Sequence, residues 1–296
     1  ISTFRSISLQ SQGLIFAAIS ALSLSILTTA ATFVYKSGSD PFTLVAARAA
    51  VGFVIACLFI QTSQKQIRFP SGNLILILAF STGQLMINFG YMTSIIYIPV
   101  SFAVIIFYTF PVLVLFVEAL IVCRVPKPVE TISFVTAFVG LSLALAPSFD
   151  SLDWRGVTSA SIASVGGVIV MSTGSRAAQR LGTVNTFFHM QLIAFFVTLI
   201  VMLGAGGPTL PKVEIGWWSL GIACLCYTIG ILTQIIAVKM VDPASASLVY
   251  NLEPLVTLAL AAWILTDRLT SIQYIGSALI LAAILVAGRL ATSPPP

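Results

Sequence analysis

The chain reads as one apolar unit written twice at a constant offset of 143 residues. Gly13 answers to Gly156, Arg48 to Gln191, Pro111 to Pro254 and Arg124 to Asp267, and Asp40-Pro41 falls on Thr183-Val184. Each copy carries five apolar stretches. If each crosses a bilayer, an odd number makes the second copy enter from the opposite side. Inverted repeats of this kind are how many secondary transporters build alternating access around a central site.

Hydrophobic residues make up 58% of the 296 and charged residues 8%, with a mean hydropathy of +1.06. Soluble domains carry roughly 25% charged residues, so almost the whole chain is predicted to sit in lipid. A spanning helix needs about 20 apolar residues. Ten are predicted, over 13–35, 41–61, 72–95, 99–122, 129–147, 156–179, 184–205, 215–238, 243–265 and 270–289. The fold class expected is an all-α polytopic membrane protein, since backbone groups in hydrocarbon must find partners within the segment. Its predicted parts are a cytoplasmic segment (1–12), a first five-helix repeat (13–147), a linker (148–155), a second repeat (156–289) and a tail (290–296). The chain opens on Ile1 and not on methionine, so the natural protein is expected to begin earlier.

The net charge of +5 is a topology signal. With ten spans, Arg5, Lys65, Arg68, Arg124, Lys127, Arg176, Arg180, Lys239 and Arg289 collect on the side of the termini, against Lys36, Arg155, Lys212 and Arg268 on the other. Nine against four puts both termini in the cytoplasm by the positive-inside rule. Nucleic acid is therefore not an expected partner; lipid and a small-molecule substrate are. The four cysteines, Cys57, Cys123, Cys224 and Cys226, lie within or at the ends of apolar spans, and are expected to pack as buried apolar groups. No metal or cofactor is expected. Catalytic signatures such as His-Glu-x-x-His, Gly-x-Ser-x-Gly and the phosphate-binding Gly-Lys-Ser/Thr loop are absent, so no enzyme is predicted.

Punctuation falls where spans should end, at Asp40-Pro41, Phe69-Pro70-Ser71, Pro126-Lys127-Pro128, Pro147 and Asp242-Pro243. The fourth and ninth spans share a plan: an opening proline (Pro99; Pro243), small residues, and a second proline near the middle (Pro111; Pro254). A mid-span proline frees a carbonyl and permits a kink, which is either a tolerated irregularity or a hinge at a substrate site.

Ionisable groups inside spans cost roughly 2.5–3.5 kcal/mol each on insertion scales, so each needs a reason. Arg48, Glu118, His189 and Glu253 qualify. At 1.5 Å per residue, Glu253 lies about 15 Å into its span and Arg48 about 11 Å in from the opposite side. The two are expected either to form an ion pair or to face a zwitterionic substrate together. Glu118 reads as a snorkelling or loop-pairing carboxylate, and His189 as a packed residue with a local hydrogen bond. Gln84, Asn88 and Tyr91 form one helical stripe, and their repeat counterparts are Tyr227, Ile231 and Gln234. Such stripes are helix–helix glue or opposite walls of one cavity. Tyr108 answers to Asn251, beside Tyr250. A lining of this kind suits a small, partly apolar solute.

At these residues the chain resembles the EamA-type branch of the drug/metabolite transporter superfamily. The resemblance is carried by the doubled five-helix plan, Ala46-Ala47-Arg48-Ala49-Ala50, the segment from Pro243-Ala244-Ser245-Ala246-Ser247 to Leu252-Glu253-Pro254, and Asp267-Arg268-Leu269-Thr270 with Gln273 and Gly276. It implies a carrier in a bacterial inner membrane that exports small metabolites, amino acids (aromatic ones included) foremost. The wider superfamily also holds organic-phosphate and nucleotide-sugar antiporters, but those substrates call for several basic groups, and here the spans offer Arg48, with Lys239 at a helix end. A channel would show rings of charge or a wide polar lining, and neither is evident.

Overall fold

Helix boundaries follow the caps that the sequence supplies. The computed structural model describes residues 9–62, 67, 70, 72–145, 153–265 and 270–292. Among them are twelve α-helices and no strand: α1 (Leu9–Lys36), α2 (Pro41–Thr62), α3 (Leu74–Tyr97), α4 (Val100–Phe107), α5 (Phe110–Ile121), α6 (Pro128–Leu145), α7 (Trp154–Leu181), α8 (Thr183–Gly204), α9 (Glu214–Met240), α10 (Pro243–Val249), α11 (Leu252–Leu265) and α12 (Ser271–Thr292). Asp40 opens α2 by accepting from the Thr43 N–H at 2.9 Å. Asp153 opens α7, accepting from Arg155 N–H at 2.8 Å. Asp242 opens α10, accepting from Ser245 N–H at 2.9 Å, with Pro243 in the first turn, where its missing N–H costs nothing.

Eight helical segments are long and apolar enough to cross a membrane, with Val100–Ile121 counted as one, and Ser271–Val286 is a shorter apolar helix. The remaining stretch, 243–265, is the broken pair α10–α11. The first helix starts at Leu9, so Gln10, Ser11 and Gln12 belong to α1 and not to a separate terminal segment. Arg5, Lys65, Arg68, Phe69, Ser71, Pro147, Asp150, Asp267, Arg268, most of the expected linker and the final Ser293–Pro296 lie outside the described residues, as does the Arg289 side chain.

The two halves pack by exchange. Helix α1 lies antiparallel along α9, and α7 lies antiparallel along α3. The repeat offset relates the two contacts: Gly13 packs on Val241 as Gly156 packs on Ile98, and 241 − 143 = 98. Helix α2 meets its own counterpart α8, and α6 meets α12. Lipid offers no hydrophobic gain for helix association, so close backbone approach through small residues carries the packing. A β-carbon on Gly83 would stand 2.9 Å from the Gly166 carbonyl oxygen, and one on Gly166 2.7 Å from that of Gly83.

At one end the halves are also stitched by polar bonds. The Ser39 hydroxyl donates to the Thr209 carbonyl at 2.6 Å, Asp40 N–H to Thr209 Oγ1 at 2.8 Å, and Thr209 N–H to Thr43 Oγ1 at 2.8 Å. The Thr209 hydroxyl also donates to the Asp40 carboxylate. Partial burial pushes the Asp40 pKa upward, but the bonds from Thr209 and Thr43 outweigh it and hold the carboxyl below its usual range.

The fourth and ninth stretches break at equivalent places. Helix α4 stops at Phe107 and α5 begins at Phe110, with Pro111 in its first turn. Helix α10 stops at Val249 and α11 begins at Leu252, with Pro254 in its first turn. The Tyr250 carbonyl that Pro254 cannot engage is taken instead by Glu253 N–H at 2.9 Å. Thr109 Oγ1 donates to Ile106 O at 2.7 Å, and Asn251 Nδ2 to Leu248 O at 2.9 Å. Both breaks therefore satisfy their own backbone, as a broken helix at membrane depth must.

Gly166→Leu should force α3 from α7 and lower stability by about 1–3 kcal/mol. Gly221→Ala, with nothing within 4 Å of the new atom, should be neutral or slightly stabilising. Thermal unfolding of the two variants in detergent compares them; equal midpoints would remove the close-packing account.

Candidate functional site

Arg48 projects from α2 into a cluster built by three other helices. Its Nη2 donates to Asn88 Oδ1 of α3 at 2.5 Å, and its guanidinium lies over the Tyr227 ring of α9, 4.7 Å from the centroid. This pairing of an amide acceptor with an aromatic face stabilises the charge without a carboxylate. Its Nε is buried without a partner. The field of the charge reaches Tyr35 of α1 and Cys224 of α9 as well as Tyr227.

Glu253, in the first turn of α11, forms a second centre. It makes no ion pair, with Arg48 or any other described cation. The expected Arg48–Glu253 pair is thus not formed, because α2 holds the arginine against α3 and α9 while the carboxylate sits at the α10–α11 break. The field of Glu253 covers Tyr91, Tyr108 and Tyr250. Tyr108 lies next to this carboxyl, but its hydroxyl completes no hydrogen bond, and neither does that of Tyr250. The main chain here is pinned from α1: Ser25 Oγ donates to Glu253 O at 2.9 Å, and Thr28 meets Thr257 at 3.1 Å. Tyr91 lies within the electrostatic reach of both Tyr35 and Glu253, and Tyr35 within that of Arg48.

Accessibility sorts these residues. Arg48, Tyr35, Tyr91 and Glu253 are half-buried, whereas Gln84, Asn88, Tyr108, Tyr227, Gln234, Tyr250 and Asn251 are buried. The stripe on α3 therefore points inward at Gln84 and Asn88 and reaches accessible space at Tyr91. On α9, Gln234 Oε1 is buried and unpartnered. The Asn251 amide is consumed locally in capping the α10 end. Each orphaned buried polar atom costs about 1–3 kcal/mol, and such atoms gather here. Pro99 caps α4, and the other three prolines stand in the first turns of α5, α10 and α11.

The remaining ionisable groups have local duties. Glu118 of α5 engages Arg176 of α7 in a two-pronged ion pair, Nη1–Oε1 and Nη2–Oε2 both 3.1 Å. It does not pair with its own loop, because Arg124 is taken by Glu130 at 3.1 Å. His189 makes a 2.7 Å bond between Nδ1 and the Asn185 carbonyl and meets Phe188 edge-on. Of the cysteines only Cys224 is buried; Cys57 and Cys226 are half-buried, and Cys123 is exposed at the end of α5, where it takes a left-handed turn with φ of 54°. An apolar groove of about 240 Å³ between α1, α9 and α11, lined by Ile26, Phe33, Ile222 and Leu260 among others, contains none of the clustered ionisable groups.

Sequence reasoning missed two residues. Tyr35 stands at the end of α1 and has Ala178 as its counterpart, so the repeat gave no hint of it. Gln191 was marked as the counterpart of Arg48, and its amide lies against Gly52, one turn beyond Arg48 on α2.

Packed apolar helices, exchanged halves and a buried arginine surrounded by amides and tyrosines define an integral membrane protein with a polar centre. A family model for the EamA-like transporter family matches residues 11–146 and again 154–289. The chain belongs to the EamA-like transporter family, within the drug/metabolite transporter superfamily. A solved crystal structure of a protein 18% identical in sequence superposes with a TM-score of 0.83, over 97% of this chain and 100% of the other, and so shares the fold. No functionally curated protein matches the chain in sequence.

Glu118→Gln removes the counter-charge of Arg176 and one of its two acceptor oxygens, leaving the Ser172 carbonyl and an amide oxygen, and should cost about 1–3 kcal/mol. Adding Arg176→Met should restore part of the loss. A double-mutant cycle on thermal midpoints reads the coupling; none at all would mean that the pair stores no stability.

Proposed function

We propose that the protein is a ten-span carrier of two inverted five-helix repeats that exports amino acids, aromatic ones included, by alternating access. Its setting is the inner membrane of a bacterium, with both termini cytoplasmic. The observation that carries this reading is Arg48, a half-buried cation held by Asn88 and Tyr227 and answered by no carboxylate among the described residues. A charge kept in a membrane without a counterion suits a solute that supplies one. Arg48 receives the solute's carboxylate, and Glu253 gives the opposite pole. Gln84, Tyr108, Gln234, Tyr250 and Asn251 line or support the space between. Membership of the family and the exchanged packing of the halves favour this arrangement over a channel.

The helix breaks before Pro111 and Pro254 are the hinges, with Pro99 and Pro243 fixing the outer ends of α4 and α10. Rocking of one half on the other exposes the site to each side in turn. An organic-phosphate antiporter is the less favoured reading, since the described cluster holds one guanidinium and phosphate recognition draws on several basic groups.

Counterflow in liposomes decides between them. Labelled neutral or aromatic amino acids should exchange saturably and sugar phosphates should not. Arg48→Ala should cut exchange by about 10-fold or more, the worth of a charge-assisted hydrogen bond. Pro111→Ala and Pro254→Ala should slow exchange more than they lower folded yield. Exchange confined to sugar phosphates would overturn the amino-acid reading, and unaltered turnover in the proline variants would remove the hinges.

A further inference from the structure

Gln191 of α8 is fully buried, and neither atom of its amide has a hydrogen-bond partner. Among the described residues it is the one side chain with two separate buried polar atoms left unpartnered, and the hydroxyls of Tyr108 and Tyr250 are unpartnered as well. The amide lies against Gly52 of α2, where Thr228 of α9 is also close, and any β-carbon at position 52 would collide with Gln191 Nε2. Arg48 precedes Gly52 by one helical turn on the same face of α2. Tyr227, whose ring carries the guanidinium, is the neighbour of Thr228. The orphaned amide and the orphaned Nε of Arg48 thus occupy one junction of α2, α8 and α9.

The Thr228 hydroxyl donates to the Cys224 carbonyl at 2.9 Å and so has no proton for the amide oxygen, and the amide nitrogen makes no hydrogen bond to it either. Gln191 is also the repeat counterpart of Arg48. The two halves therefore offer, from equivalent positions on helices that pack together, a guanidinium and a primary amide. An amide presents one donor and one acceptor side by side. An α-amino acid presents the complement, a carboxylate and an ammonium group on one carbon.

We infer that Gln191 is a second recognition residue beside Arg48, its amide N–H donating to the carboxylate and its amide carbonyl accepting from the ammonium of an α-amino acid. This rests on the carrier reading above. Arg48 is the outer group, half-buried and accessible; Gln191 is the inner one, sealed while α2 and α8 are closed on each other and reached when they part. The ammonium has three N–H donors, so Glu253 keeps its part as the opposite pole beside the Gln191 carbonyl.

The test is equilibrium binding to the purified full chain in detergent, with labelled phenylalanine as probe. Its competitors are phenethylamine, which lacks the carboxylate, 3-phenylpropionate, which lacks the ammonium, and a panel of other amino acids. The wild type should prefer phenylalanine to both truncated compounds. Gln191→Leu, close to isosteric, should weaken phenylalanine about 10-fold or more and flatten that preference. Its melting temperature should hold or rise, since an unpartnered amide has been removed. Gln191→Glu keeps an acceptor and adds negative charge, so it should lose phenylalanine and 3-phenylpropionate while keeping phenethylamine.

A Gln191→Leu variant with wild-type preference would overturn the assignment and leave the amide to packing or an internal water. If wild-type counterflow of phenylalanine persisted in that case, the carrier reading would stand without this site. A wild type that binds neither an amino acid nor 3-phenylpropionate would overturn both.

Discussion

The backbone contact between α3 and α7, repeated between α1 and α9, is what the rest of the molecule hangs on. In hydrocarbon these helices gain nothing by hiding apolar surface from one another, so they hold through dispersion at short range and a few hydrogen bonds such as Ser20 to the Gly230 carbonyl. Each contact joins a helix of one half to a helix of the other. Neither half can therefore be regarded as a separate body that later docks: the interface between halves is the core. Because α1 and α3 are fixed to their partners in the other half, the residues that α2, α4, α5, α10 and α11 carry are brought round a common centre.

That centre is polar at a cost. Arg48 gives up water for one amide oxygen, an aromatic face and an unmade Nε bond, while Gln191 gives up both of its bonds. A protein free to optimise stability alone would replace these with apolar groups at little loss. Their cluster at the α2–α8–α9 junction, where counterpart helices from the two halves meet, is the physical ground for treating it as a working site and not as glue.

Much of this could be read along the chain because the signals are local. The paired prolines announced the breaks at Tyr108–Thr109 and Tyr250–Asn251, since a missing N–H acts on the helix that contains it. The Gln84–Asn88–Tyr91 stripe gave the inward face of α3 by periodicity alone. What could not be read depends on which helix lies against which. Arg48 and Glu253 have compatible depths, yet depth says nothing about lateral position, and the arginine found Asn88 first. Glu118 found Arg176, 58 residues away, for the same reason. Tyr35 sits at a helix end where hydropathy is uninformative, and Cys123 is exposed because α5 ends one residue before Val122.

The doubling of the backbone is not matched by its side chains, and the Glu118–Arg176 pair shows what that entails. The repeat counterpart of Arg176 is Phe33, which lies in the apolar groove beside Leu260. Parting α5 from α7 means breaking two charge-assisted bonds; parting α11 from α1 at the equivalent place means exposing an oily seam. The first resistance is electrostatic and, the pair being partly buried, is screened by salt less than a surface pair would be, while the second is set by apolar contact alone. A backbone with nearly equal halves thus stands on unequal latches, and its two ends should loosen under different conditions.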